Sequence, residues 1–203
     1  MRSIIDWVTS NPSAAASLGS ALIAASVALV VFAITQMIAR RRDATQLLLP
    51  KLEQLYLLLN ELSEHNARMF KLYHLAMEGD IEAQKTLNGL DDLTHYGLDR
   101  GKKIVMYVRL YFPVLARIHQ MLFAAERELN VLRYKVRSDD PPHVEDLLMA
   151  GGKVGHFLRL MEQEITDNRD VLLKANWFPT RYRAVTQKQI DNPVPRPEGS
   201  YIN

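Results

Sequence analysis

The sequence contains no cysteine, which excludes disulfides, thiolate catalysis and cysteine-ligated zinc, and removes any clue to redox compartment. A second absence is regional. From Trp7 to Ala39 there is no Asp, Glu, Lys, Arg or His, whereas charged residues recur every few positions from Arg40 onward. Aromatic residues are sparse at 8%, and the eight methionines fit helical packing without pointing to a ligand. A formal net charge of +2 is too small to argue for nucleic acid.

What fills the uncharged region is apolar. Leu18 to Ala39 reads LGSALIAASVALVVFAITQMIA, and at 1.5 Å per residue it would extend ~33 Å, against a hydrocarbon core of about 30 Å. A buried helix of a soluble domain would show a polar face over that length, and this stretch offers only Ser20, Ser26, Thr35 and Gln36. It ends in Arg40, Arg41 and Arg42, while Arg2 and Asp6 are the only charges before it. The arginine asymmetry predicts an N-terminus outside and the remainder in the cytoplasm, as in a bacterial inner membrane. Trp7 suits an outer interfacial position. The competing reading is a cleaved signal peptide, but that would want a basic start, a shorter apolar core and a small-residue cleavage site. Ser17, Ala21 and Ala25, and again Ser20, Ala24 and Ala28, form rows of small residues at spacing four, which allow close helix approach in lipid.

Beyond the arginines, apolar positions recur at alternating spacings of three and four. One seam runs from Leu48 through Leu52, Leu55, Leu59, Leu62, Asn66, Met69 and Tyr73 to Ala76. A second runs from Ile104 through Val108, Tyr111, Leu115, Ile118, Leu122, Ala125, Leu129 and Leu132 to Val136, and a third from Val144 through Gly151, Leu158 and Asn168 to Ala175. Three helices follow at about 44–78, 102–137 and 141–176, with boundaries at Gly79, Gly101 and the Ser138 to Pro142 turn. The fold class is therefore all-α: one N-terminal transmembrane helix, then an elongated antiparallel coiled-coil-like bundle of three helices, or at most four. The organisation reads as 1–16 external, 17–39 spanning, 40–176 bundle and 177–203 an extended, proline-containing tail, on which Trp177, Phe178 and Tyr182 are candidates to dock. Residues 79–101 should hold short helices near 81–88 and 90–97.

Several positions break the pattern. Pro113 should kink the second helix, and Pro50 should bend or restart the first. Asn66 and Asn168 stand in otherwise apolar seams, where a buried amide can fix register. Charge alternates: four basic against ten acidic residues in 43–99, nine against two in 100–137, and four against eight in 138–176, which would favour pairing of the basic middle helix with its acidic neighbours. If the second helix returns to the membrane, Arg133, Lys135 and Arg137 join Arg40, Arg41 and Arg42 at the lipid surface, where each contributes ~1 kcal/mol.

No arrangement points to catalysis, a metal or a cofactor. No glutamate has a histidine three residues on; Glu61 with His65 and His74 with Glu78 are four apart and read as surface pairs. Asp92 with His95 lacks further ligands nearby, and His119, His143 and His156 are scattered as surface or cap residues. Gly151-Gly152-Lys153 fails the phosphate-loop spacing and lies inside a helical seam. The partners this implies are the lipid bilayer and a protein, including a second copy, with no nucleic acid and no small-molecule substrate. The expected function is a membrane-anchored helical interaction or scaffold protein rather than an enzyme. The alternative is a membrane-acting stress or phage-defence effector, although the span lacks the polar face of a pore-lining helix.

Overall fold

The computed structural model describes residues 12–90, 97–136, 142–175 and 180–192, apart from the side chains of residues 12, 14 and 15. Among them there is no strand. The helices are α1 (Pro12–Met77), α2 (Ile81–Gly89), α3 (Leu98–Leu110), α4 (Ala116–Val136), α5 (Val144–Asp167), α6 (Arg169–Leu172) and α7 (Gln187–Asp191), with a 3-10 turn at Pro113–Leu115. The chain is all-α, as the sequence predicts. It divides into two compact units, Met1–Gln46 and Leu47–Asn203.

In the first unit, α1 is apolar and exposed on all sides; Leu22, Val30 and Phe32 each keep more than half of their surface. It contains the one helix stretch among the described residues that is long and apolar enough to cross a membrane, with a mean hydropathy of 2.4 and no residue of that window buried. Its hydroxyls turn inward: Ser20 donates to the Ser17 carbonyl at 2.9 Å, Ser26 to Leu22 at 2.8 Å and Thr35 to Val31 at 2.8 Å. Such bonds satisfy a hydroxyl without water, as a nonpolar surrounding requires. Trp7 lies outside the described residues.

In the second unit the first seam is buried as predicted, from Leu48 through Leu55 and Leu59 to Tyr73 and Ala76. α1 does not restart at Pro50 but continues through it. It ends at Met77, and Gly79 then takes φ +94, a conformation open chiefly to glycine. Asp80 next caps α2, accepting from the N–H groups of Glu82 and Ala83 at 2.8 and 3.0 Å. The predicted short helix at 90–97 falls largely outside the described residues.

The second long helix is two helices. Gly97, at φ +60, opens α3 against His65 and Leu62, so the start lies four residues before Gly101. α3 then runs antiparallel to α1: Arg100 pairs with Glu61 at 3.6 Å, and eleven residues later Tyr111 carries Lys51 Nζ over its ring at 5.6 Å. Pro113 does more than kink the chain; it stops the helix. Phe112, buried, takes φ −130 and ψ 56, the 3-10 turn follows, and α4 leads back so that Arg133 reaches Asn66 and Tyr73. α5 reverses direction again, with Lys153 meeting Glu128 at 2.5 Å. The bundle therefore has four strokes, residues 47–77 of α1, α3, α4 and α5, rather than three matched ones.

The third helix is also interrupted. It begins at Val144 after His143, and Asn168, at φ −114 and ψ 15, separates α5 from the single turn α6. Two cross-helix ion pairs among the described residues bear on the alternation of charge in opposite ways. Arg100 with Glu61 joins a basic helix to an acidic one, but Lys153 with Glu128 reverses the expected signs.

Candidate functional site

Of the basic residues expected at the lipid surface, Arg133 lies inside the bundle instead. Arg133 is the largest fully buried side chain, only 1% exposed. Its Nη2 donates to Asn66 Oδ1 at 3.1 Å, its Nη1 to Asn130 Oδ1 at 3.3 Å, and its guanidinium lies 5.7 Å from the Tyr73 ring centroid. It therefore belongs to a polar layer inside the bundle, roughly 30 Å of helix beyond Leu47. Lys135 is exposed, Arg137 lies outside the described residues, and Arg40, Arg41 and Arg42 sit on α1 in the first unit. Ser17, Ala21, Ala25, Ser20, Ala24 and Ala28 are all exposed there. Asn66, singled out for standing in an apolar seam, is the acceptor that receives Arg133. Glu126 completes the layer: burial pushes its carboxyl up to about 7, opposed by the Asn66 amide and the Arg133 charge.

Two histidines are placed differently from the sequence reading, whereas His143 is an exposed cap residue as expected. His65 and His156 are buried rather than superficial. His119 stacks on Phe123, and burial, followed by the nearby Arg109, lowers its pKa. His74 pairs with Glu78 at 3.4 Å on the surface, as expected. Asp92 and His95 lie outside the described residues. Among the described residues no three His, Asp or Glu side chains converge as metal ligands do. Gly151 faces the Phe70 ring, where a Cβ would come within 3.3 Å, so this glycine serves helix packing.

Two polar places remain. One is a groove of about 600 Å³ between α1, α2 and α3, edged by Arg68, Asp99 and Lys103 and by the Arg100–Glu61 pair. Its charges are mixed, Arg68, Arg100 and Lys103 against Glu61 and Asp99. The other is a clamp on α5, which the seam analysis missed. The buried residues of α5 occupy two faces: Leu147, Val154, Leu158, Met161 and Ile165 form the seam, and His156, Phe157, Leu160 and Glu164 a flank beside it. On that flank lies the extended segment 180–186 with α7.

The clamp reads backbone. Asn168 Nδ2 donates to the Arg183 carbonyl at 2.8 Å, and Asn168 Oδ1 accepts from the Arg183 N–H at 2.6 Å, so one amide pairs with both polar groups of one residue. Glu164 accepts from the Val185 N–H at 2.9 Å and from the Tyr182 hydroxyl, whose pKa is raised by burial and by this carboxylate. Arg117 of α4 donates to the Val185 carbonyl at 3.3 Å, and the His156 ring meets the Ile190 carbonyl at 3.3 Å. Thr186 closes α7 with a capping box completed by Gln189. The tail is thus docked through Tyr182 and Val185; Trp177 and Phe178 lie outside the described residues. Glu164 stands among other polar residues, from Glu162 and Gln163 to Thr166 and Asp167, so the sequence carries no signal that marks it out.

Comparison of the chain with protein-family models, with curated proteins and with solved structures finds no match.

Proposed function

We propose that this protein is a single-pass, membrane-anchored helical interaction protein, whose bundle binds or assembles other proteins, including further copies of itself, at the cytoplasmic face of a bacterial inner membrane. The observation that carries the reading is α1. One stretch of it is apolar and exposed all round, with its hydroxyls bonded inward, and a later stretch of the same helix supplies the buried seam of the bundle. Exposing that much apolar surface to water would be costly, and a bilayer removes the cost. The three arginines after the span support the orientation.

Support for binding rather than catalysis comes from what the polar residues do. Arg133, Asn66, Asn168 and Glu164 hold helices and backbone together, and each is engaged in that task. The test is native purification from membranes in mild detergent with mass spectrometry of what accompanies the chain. The reading requires co-purifying protein or a defined oligomer, and extraction only by detergent rather than by alkaline carbonate. A carbonate-extractable, solitary monomer would refute it.

A further inference from the structure

We infer that the flank of α5 is a docking site for an extended peptide, and that residues 180–191 of a second copy of this chain take it in place of the chain's own segment. This names a means for the self-association proposed above and rests on that reading.

The first ground is that the site requires an occupant. Asn168 and Glu164 are 1% and 3% exposed; the Asn168 amide bonds the Arg183 backbone as well as the Glu164 carbonyl, and the Glu164 carboxylate takes the Val185 N–H and the Tyr182 hydroxyl. Without something there, the buried carboxylate would lose the donors that Val185 and Tyr182 give it, and the buried Asn168 oxygen the Arg183 N–H. The second is recognition. The bonds to Arg183 and Val185 are the kind an added strand receives from a sheet edge, here supplied by side chains. Val185, buried, and Tyr182, bonded to Glu164, fix the register.

The third ground is charge. α5 carries five acidic and two basic residues, whereas 180–191 carries Arg181, Arg183 and Lys188 against Asp191 alone. The basic segment suits the acidic helix, and each copy of the chain carries both. The segment is also self-contained, since its capping box closes α7 without help from α5. At the exit from α6, Lys174 is held at φ +54, which L residues rarely adopt. Only residues 176–179 separate Ala175 from Thr180, a reach of at most ~18 Å, so exchange brings the α6 ends of two copies side by side.

The test co-expresses two differently tagged full-length chains. One carries Val185→Asp, which spoils its segment and leaves its groove; the other carries Asn168→Ala, which spoils its groove and leaves its segment. In mild detergent the mixed pair should co-purify about tenfold above a control in which both chains carry both substitutions. Glu164→Gln provides a second groove variant of unchanged size, with helicity followed by circular dichroism. A labelled peptide of residues 180–192 should also bind the Val185→Asp chain and lose that binding when Glu164→Gln is added. Failure of the mixed pair to exceed the control overturns exchange, even if the peptide binds. Association that persists in the doubly substituted control keeps self-association and overturns the segment as its means.

Discussion

Between Leu22 and Ile38, α1 turns leucine, valine and isoleucine outward in every direction, whereas between Leu48 and Ala76 the same helix buries one residue in every three or four. Leu22 keeps 67% of its surface and Leu59 none. The apolar residue types scarcely differ, so they do not by themselves decide the fate of either stretch. What differs is what stands between them: no charge between Leu22 and Ile38, but Lys51, Glu53, Glu61, Arg68 and Lys71 among the buried positions of the later stretch. An apolar helix without a polar face has no preferred side to bury and suits a medium that is apolar all round. A seam at spacings of three and four commits one side to neighbours, and the charged remainder stays in water.

This contrast breaks most sharply at Arg133, a charge inside the periodic region. Arg133→Ala would leave Asn66 and Asn130 without their donor and Glu126 without its neighbouring cation, at a cost of roughly 3–5 kcal/mol. Arg133→Met, which fills similar space, should recover much of that loss. Urea denaturation in mild detergent, followed by circular dichroism, measures both. Equal and small losses for the two substitutions would mean that Arg133 is not enclosed by the layer.

Next in size is the direct comparison within α1. Leu59→Ala empties a fully buried site and should cost about 2–4 kcal/mol, whereas Leu29→Ala, exposed in the first unit, should leave bundle unfolding within ~0.5 kcal/mol. The same measurement serves for both. A similar shift from the two would erase the distinction between the stretches.

How far the sequence disclosed this arrangement follows from the same idea of period. The long apolar helix and the first seam were legible because composition marks the one and spacing the other. The hairpin of α3 and α4 was not. Tyr111, Leu115 and Ile118 keep the spacing of the seam straight across the reversal, so the pattern reads as one helix while the chain turns back. The signal was Pro113, and a proline alone does not separate a kink from a stop. Buried Phe112, off the seam, marks the difference only once the turn is seen. The polar residues follow a similar rule. Asn66 and Asn168 announced themselves by standing in seams, but their partners are distant in sequence. Arg133 reads as a surface cation because, with Lys135 and Arg137, it lies at the end of a helix expected to return to the membrane, and burial beside Asn66 is a tertiary fact. The clamp escaped because Glu164 lies off the seam, on a flank that becomes interior only when the tail covers it.

The polar layer also makes a pH prediction. The folded pKa of Glu126 is about 7, above the ordinary 4.5. The folded chain thus holds a proton that the unfolded chain has released. The stability from this group is complete below about 4.5 and is lost as pH rises through 7, a swing of about 3 kcal/mol. Glu126→Gln keeps the side chain's size, and its unfolding midpoint should vary less between pH 5 and 8, leaving it more stable than the parent at pH 8. An unchanged dependence in the variant would show that Glu126 is ionised throughout that range and held by Arg133.

The smallest expected effect tests the link rather than the seam. Lys174 follows α6 with φ +54, while its N–H bonds to the Val171 carbonyl at 3.1 Å and the Ala175 N–H to Asp170 at 2.9 Å. That pair of bonds is the helix ending in which glycine usually holds this position, because a Cβ is crowded there. Lys174 is exposed, and its side chain contributes nothing to the core. Lys174→Gly should relieve the crowding, while the freer unfolded chain takes back part of the gain, for a net increase of about 0.5 kcal/mol. Lys174→Ala keeps the Cβ and removes only the charge, so it should change little. If alanine matched glycine, the gain would come from charge, and the left-handed turn that sends the chain toward the clamp would carry no strain.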